Sequence, residues 1–274
     1  MAGSGFWQGM RAVMADALGH FSADDGWAMA SHVALSALMA LFPFLIFVAT
    51  FAGTLGDAGL ASRVAEMVFA TWPADVARSI AGEVRRVLAP NHSGLLTVSA
   101  VVALFLASNG VEAVRTALNR AYRVVDRRNY LLLRVQSLVL VLIGTIAILM
   151  LAAFAVLTAS LPALRGYEVT LASLGALLSF GLVIGSLVGA HIILPAGRPS
   201  WRHLWPGIVT TLVLWIVSGW IFAYYLSRFA NYTATYAGLA GVVTVMFFLY
   251  ILAVIMIFGA EFNAALARLR EGRL

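Results

Sequence analysis

The sequence predicts an all-α, polytopic membrane protein with six transmembrane helices and both termini in the cytoplasm. Composition is the first reason. Of the 274 residues, 62% are hydrophobic and 11% charged, whereas soluble domains carry about 25% charged residues. Spacing is the second. Six stretches of at least 20 residues contain no Asp, Glu, Lys or Arg (26–56, 87–111, 135–164, 169–197, 203–227 and 229–260), and a helix needs about 20 apolar residues to cross a bilayer. The third reason is where the charge falls. All 18 basic residues are arginine. An even number of spans puts both termini on one side. With that side inside, the cytoplasmic segments hold twelve arginines and the outer segments six, the bias that keeps loops in the cytoplasm.

The spans are expected at about residues 28–55, 92–111, 135–160, 170–194, 204–227 and 235–261. No polar segment is large enough to fold apart from them, so residues 1–274 read as one integral membrane domain without a soluble catalytic module. The net charge of +6 would point to nucleic acid on a soluble fold. On a membrane protein it anchors loops, and no nucleic-acid partner is expected. The absence of cysteine excludes disulfides and thiolate metal sites. His191 and His203 are too scattered for a metal centre, and no cofactor is expected. The first 25 residues lack the basic start, apolar core and cleavage site of a secretory signal, so the first apolar helix is expected to be an uncleaved anchor.

Ahead of the first span, residues 6–21 pattern as a short amphipathic helix with Trp7, Met10, Val13, Met14 and Leu18 near one face, suited to the membrane surface. Asp24 and Asp25 suit the helix start that follows. The first span carries His32 and Pro43. Pro43 removes one backbone hydrogen bond, which fits either a static kink or a moving helix. His32 reads as a buried, hydrogen-bonded side chain, with a proton or substrate role as the alternative. Residues 57–86 pattern as two short amphipathic helices, separated by Trp72-Pro73, that cap the outer face.

The second span ends in Ser108-Asn109-Gly110. Its helix is expected to continue along the cytoplasmic interface, with Val111, Val114, Leu118, Tyr122 and Val125 as an apolar stripe. Glu112, Arg115, Asn119, Arg120 and Arg123 occupy the other faces, with Arg127 and Arg128 beyond. This basic face orients the chain and attracts anionic lipid headgroups, each arginine contributing about 1 kcal/mol near the surface. The third span is nearly featureless. The fourth sets Gly181, Gly185 and Gly189 on one face, a pattern that lets another backbone approach closely. The fifth holds Trp205, Trp215, Trp220, Tyr224 and Tyr225, those near its ends fitting aromatic belts. The sixth follows Asn231 on the outer face and ends in Glu261 and Asn263 at the inner boundary. Glu261 either pairs with an arginine of residues 115–134, fixing the last helix, or lines the inner mouth of a pathway.

Three stretches together carry a resemblance. They are Asp25-Gly26-Trp27 through Leu41-Phe42-Pro43-Phe44; Ser108-Asn109-Gly110 through Leu118-Asn119-Arg120-Ala121-Tyr122; and Tyr232 through Gly241 with Gly259-Ala260-Glu261-Phe262-Asn263. In these the chain resembles, over nearly its whole length, the YihY/BrkB family of bacterial inner-membrane proteins. The resemblance implies a six-spanning fold in the cytoplasmic membrane. Some members of that family once carried a transfer-RNA-processing ribonuclease label, now regarded as a misassignment. Others are associated with serum resistance or with export of lipids and lipopolysaccharide precursors. The resemblance transfers no catalytic residues. It marks Pro43, Asn109, Asn119, Tyr122, Gly241, Glu261 and Asn263 without assigning them chemistry.

Two classes of function fit the residues. One is a transporter or translocase of a lipid or amphipathic anion, supported by polar residues inside apolar spans and a basic inner surface. The other is a non-transporting scaffold or regulatory subunit acting with a second copy or an envelope partner. An enzyme is not expected: there is no His-Glu-x-x-His, no Gly-x-Ser-x-Gly and no paired acids within a span.

Overall fold

A computed structural model describes residues 2–54, 95–160, 166–197, 201–229 and 239–273. The regular structure among them is entirely helical: α1 (Ala2–Ala23), α2 (Gly26–Thr54), α3 (Leu95–Ala121), α4 (Tyr130–Ser160), α5 (Glu168–Ile193), α6 (Trp201–Phe229) and α7 (Leu239–Arg270). Five of these contain apolar stretches long enough to cross a membrane: Val101–Ala121, Tyr130–Leu151, Val169–Ile193, His203–Arg228 and Val242–Arg270. The 29-residue α2 supplies the apolar segment Gly26–Leu41 and runs on through Pro43 to Thr54. The paired helices expected in 57–86, and Asn231, lie outside the described residues.

Helix α2 lies between α3 and α7, α6 packs along α7, α4 leans on α3, and α5 is held mainly by α4. Small side chains explain the closeness of the central pair. Ala30 and Ala34 of α2 and Ala113 and Ala117 of α3 are all buried. Lipid tails are as apolar as leucine, so helices associate in a membrane through close packing and polar contacts rather than hydrophobic burial. The outer helices show the complement. Leu131, Val135, Ile143 and Met150 of α4 and Leu177 and Phe180 of α5 are exposed, as a lipid-facing surface allows and an aqueous one does not.

Two local features differ from the expected pattern. Helix α1 does not carry a single apolar face. Val13 and Ala17 are fully buried against Phe262 and Ala265 of α7, while Trp7, Met14 and Leu18 point outward. Its apolar residues therefore serve two neighbours, the bundle and the surroundings. Helix α3 does not continue to residue 125. It stops at Ala121 because Arg123 adopts φ 53°, with Arg123 N–H donating to Arg120 O and Val124 N–H to Asn119 O, both at 2.9 Å. This pair of bonds is a Schellman stop, usually built on glycine. Val125, expected on the apolar stripe, is 79% exposed.

The glycines of α5 also depart from expectation. Gly181 and Gly185 have nothing within 4 Å of a built Cβ, and Gly189 meets only Ile193 of its own helix. Among the described residues no other backbone approaches Gly181 or Gly185 closely. The close approach is instead between α6 and α7. A Cβ on Gly207 would collide with the Gly259 carbonyl and the Asn263 side chain, and one on Gly259 with Thr211 Oγ1.

Candidate functional site

The polar side chains converge at one end of the bundle, where α1, the start of α2, the ends of α3, α5 and α7 and the start of α6 meet. The corner between α1 and α2 is built first. Asp25 adopts φ 56°, and a Cβ on Gly26 would lie 2.6 Å from the Phe21 carbonyl, so only glycine fits there. Phe21 then meets Trp27 edge to face at 4.9 Å. This corner aims Asp24 and Asp25 at the end of α3. Arg120 Nη1 lies 3.4 Å from Asp25 Oδ2, and Arg123 Nη2 lies 3.2 Å from Asp24 Oδ2. On α1, Asp16 pairs with Arg268 of α7 and, at 3.1 Å, with His20. The Asp16–Arg268 pair thereby ties α1 to α7.

Beyond the helix stop, residues 124–129 fold back on the bundle. Asp126 accepts a fork from Arg128, Nε at 2.8 Å and Nη2 at 2.6 Å, and a further bond from Asn119 Nδ2 at 3.3 Å. Arg128 holds the Asp126 carboxyl down at about 2 against an ordinary value of 3.8, and Asp126 in turn raises the Arg128 guanidinium. Arg128 Nη2 also donates to Leu194 O at 2.7 Å, and Asn119 Oδ1 accepts Ala196 N–H at 2.8 Å. The end of α5 is thus fixed to the loop after α3.

A crevice of about 550 Å³ opens at this end, lined by Asp24, Asp25, Asn119, Arg120, Arg123 and Asp126 among others. Behind it the interior holds polar atoms without hydrogen-bond partners among the described residues: Glu261 Oε2, Tyr122 Oη and His191 Nε2. Glu261 is 1% exposed and faces Arg123 Nη2 at 3.6 Å. Asn263, two residues on, bonds to two backbone groups of α6. Its Oδ1 accepts Gly207 N–H at 2.6 Å, and its Nδ2 donates to Leu204 O at 2.9 Å. It stitches α7 into the start of α6 where Gly207 and Gly259 make room.

A second polar group lies nearer the bundle middle. Arg134 Nη1 donates to Asn109 Oδ1 at 2.7 Å, pairs with Glu112 Oε1 at 3.2 Å and covers the Phe105 ring at 4.4 Å. Arg115 Nη2 donates to Ser137 Oγ at 2.8 Å and Leu133 O at 3.1 Å. These bonds join α3 to α4.

Within the apolar part lies a cavity of about 660 Å³, walled by every helix from α2 to α7 through residues such as Ala37, Val114, Ile148, Leu187, Trp215 and Met256. It is apolar, and none of the polar residues marked in the sequence lines it. Leu194 lines its end and bonds through its carbonyl to Arg128, whose partner Asp126 lines the crevice.

The structure therefore brings Asn119, Tyr122, Arg120, Arg123, Arg128, Glu261 and Asn263 together, sets Asn109 and Glu112 in the separate Arg134 group, and leaves Pro43 and His32 apart. Arg123 is the arginine that faces Glu261. His32 is exposed on α2, not buried, whereas His191 is the fully buried histidine. Arg115 is 4% exposed and does not belong to a basic surface. Arg120, Arg123 and Arg128 each pair with an aspartate, and Arg127 is exposed. Asp24 and Asp25 read in sequence as a helix start, not as partners of arginines, and the pairings of Asp16 and Asp126 and the Gly207–Gly259 contact are not legible there. Pro206-Gly207 beside an apolar run and Gly259 within Gly-Ala-Glu-Phe-Asn were the available signals. Among the described residues no three His, Cys, Asp or Glu side chains are grouped to hold a metal ion.

Apolar, membrane-length helices with lipid-compatible outer faces define a multi-pass integral membrane protein. The family model for virulence factor BrkB matches residues 17–274, and the chain belongs to that family. It is 29% identical over 267 residues to the ribonuclease-like protein YfkH of Bacillus subtilis (strain 168), covering 92% of this chain and 94% of that one. It is 27% identical over 259 residues to a UPF0761 membrane protein of Alteromonas mediterranea, covering 89% and 84%. A UPF0761 membrane protein of Tolumonas auensis is 25% identical over 189 residues, 67% of this chain and 61% of that one. No solved structure matches.

Proposed function

We propose that the protein is a six-spanning translocase of the bacterial cytoplasmic membrane that moves a lipid or an amphipathic anion, with both termini inside. The observation that carries this reading is the apolar cavity of about 660 Å³, whose lining residue Leu194 is bonded to Arg128, the partner of Asp126 in the charged crevice. An apolar cavity in the size range of small-molecule pockets, in a bundle that also carries a charged crevice, suits an amphipath with apolar chains and a charged headgroup. The arginine bias supports placing the charged end in the cytoplasm. Catalysis forms no part of the proposal. The ribonuclease-like name of the Bacillus relative is answered by assaying RNA cleavage with added divalent cation, where none is expected.

The test is reconstitution into liposomes carrying fluorescent phospholipids, with movement between leaflets read by a membrane-impermeant quencher. Protein-dependent movement is expected, slowed by Ala37→Phe, which fills the cavity. A folded protein that moves no phospholipid or amphipathic anion would sink the transport reading and favour a scaffold that acts through a partner.

A further inference from the structure

We propose that the crevice at the charged end binds a zwitterionic headgroup, a phosphate beside a primary ammonium, presented by a membrane lipid. Its lining carries three carboxylates, Asp24, Asp25 and Asp126, and two guanidiniums, Arg120 and Arg123. With Asp126 held by Arg128, two carboxylates and two guanidiniums face the crevice, so a simple anion would also meet Asp24 and Asp25, and a simple cation would also meet Arg120 and Arg123. A ligand with both charges close together satisfies both sets. Guanidinium matches phosphate through paired N–H donors, and an ammonium offers three N–H donors to carboxylates. A quaternary ammonium offers none.

The charges are poised for exchange. Arg128 grips Asp126 at 2.6 Å, but Arg120–Asp25 and Arg123–Asp24 stand at 3.4 and 3.2 Å, beyond the usual 2.7–2.9 Å of charge-assisted bonds. The side chains of Arg120 and Asp25 are 46% and 72% exposed. Pairs so long and exposed add little to stability, so a ligand can replace them. Asp25 and Arg123 are also the non-glycine residues with positive φ among the described residues. Both line the crevice, in a conformation that persists where surrounding structure imposes it.

The rim names the source of the headgroup. Val125, which lines the crevice, is 79% exposed, and Trp27, beside the α1–α2 corner, is 53% exposed. Exposed apolar and indole side chains around a charged site fit the membrane interface and contact acyl chains that a free solute lacks.

This inference rests on the lipid reading above but is tested by binding alone. The detergent-purified full chain would be mixed with vesicle lipids of matched acyl chains, and retained lipid measured by native mass spectrometry. Phosphatidylethanolamine should be retained over phosphatidylglycerol and phosphatidylcholine. Asp25→Asn, whose asparagine tolerates positive φ, should lower the ethanolamine-to-glycerol ratio by about tenfold or more, as expected for one charge-assisted bond. Arg120→Gln should lower both. Free O-phosphoethanolamine should not displace the lipid. Equal retention of the three lipids, a ratio unchanged in Asp25→Asn, or displacement by the free headgroup would each overturn the proposal. Selective retention without transport would remove the translocase reading alone; transport without selective retention would remove this site alone.

Discussion

Replacing Asn263 with alanine tests how α6 and α7 are joined. Asn263 is 2% exposed, accepts Gly207 N–H at 2.6 Å and donates to Leu204 O at 2.9 Å. Alanine leaves both backbone groups buried beside a contact too tight to admit a Cβ on Gly207. In a soluble core each orphaned group costs about 1–3 kcal/mol. Between membrane helices a polar contact averages only about 0.6 kcal/mol and reaches about 1.7, because separated helices find other partners in lipid. Two bonds then place the loss at about 1–3 kcal/mol. The assay is unfolding in mixed micelles of mild detergent and dodecyl sulfate, followed by tryptophan fluorescence. Asn263→Asp adds a second test. It keeps the acceptor for Gly207, loses the donor to Leu204 and adds a carboxylate near buried Glu261, so it should be less stable than Asn263→Ala. A loss under about 0.5 kcal/mol for alanine, or a wild-type-like aspartate variant, would refute the interhelical clamp.

The same assay separates two kinds of glycine. Gly259→Ala should destabilise by about 1–3 kcal/mol through overpacking, since its Cβ would meet Thr211 Oγ1 and lie 2.9 Å from Gly207 O. Gly185→Ala, with nothing within 4 Å, should stay within about 0.5 kcal/mol of wild type. Asp126 predicts a pH dependence. Its carboxyl is held at about 2 against 3.8, so its stabilisation is complete above the unfolded value and disappears as pH falls toward the folded one, with a ceiling of about 2 kcal/mol. Comparing wild type with Asp126→Asn from neutral pH downward should show a gap that closes between about pH 4 and pH 2; a gap constant across that range would contradict the Arg128 fork as its source.

The helical class and the apolar lengths were legible because a bilayer imposes both: backbone groups must be paired within the segment, and the segment must be long enough. Which face of a helix is buried was not. A membrane helix is apolar all round, so periodicity does not distinguish the side that meets a neighbour from the side that meets lipid. The pattern therefore does not show that His32 is exposed and His191 buried, nor that the close approach lies at Gly207 and Gly259 rather than at the α5 glycines. Polar residues at the ends of spans were more informative. Asn119, Tyr122, Glu261 and Asn263 stood out in the sequence, and the fold brings them together. The acids that pair with the surrounding arginines were less legible: Asp24 and Asp25 read only as a helix start, because their pairing with Arg123 and Arg120, almost a hundred residues on, is a tertiary fact.

Two helices end in the same hydrogen-bond pattern. Helix α7 uses Gly272 at φ 67°, with Gly272 N–H on Leu269 O and Arg273 N–H on Arg268 O, while α3 uses Arg123. Left-handed backbone costs a non-glycine residue about 1–2 kcal/mol, so ending the helix does not account for the arginine; its reach to Asp24 and Glu261 does. Among relatives, the position should therefore vary as a unit with those acids. Where glycine replaces the arginine, the carboxyl at one or both partner positions should be gone as well, which makes the pairing readable as covariation in an alignment of the family.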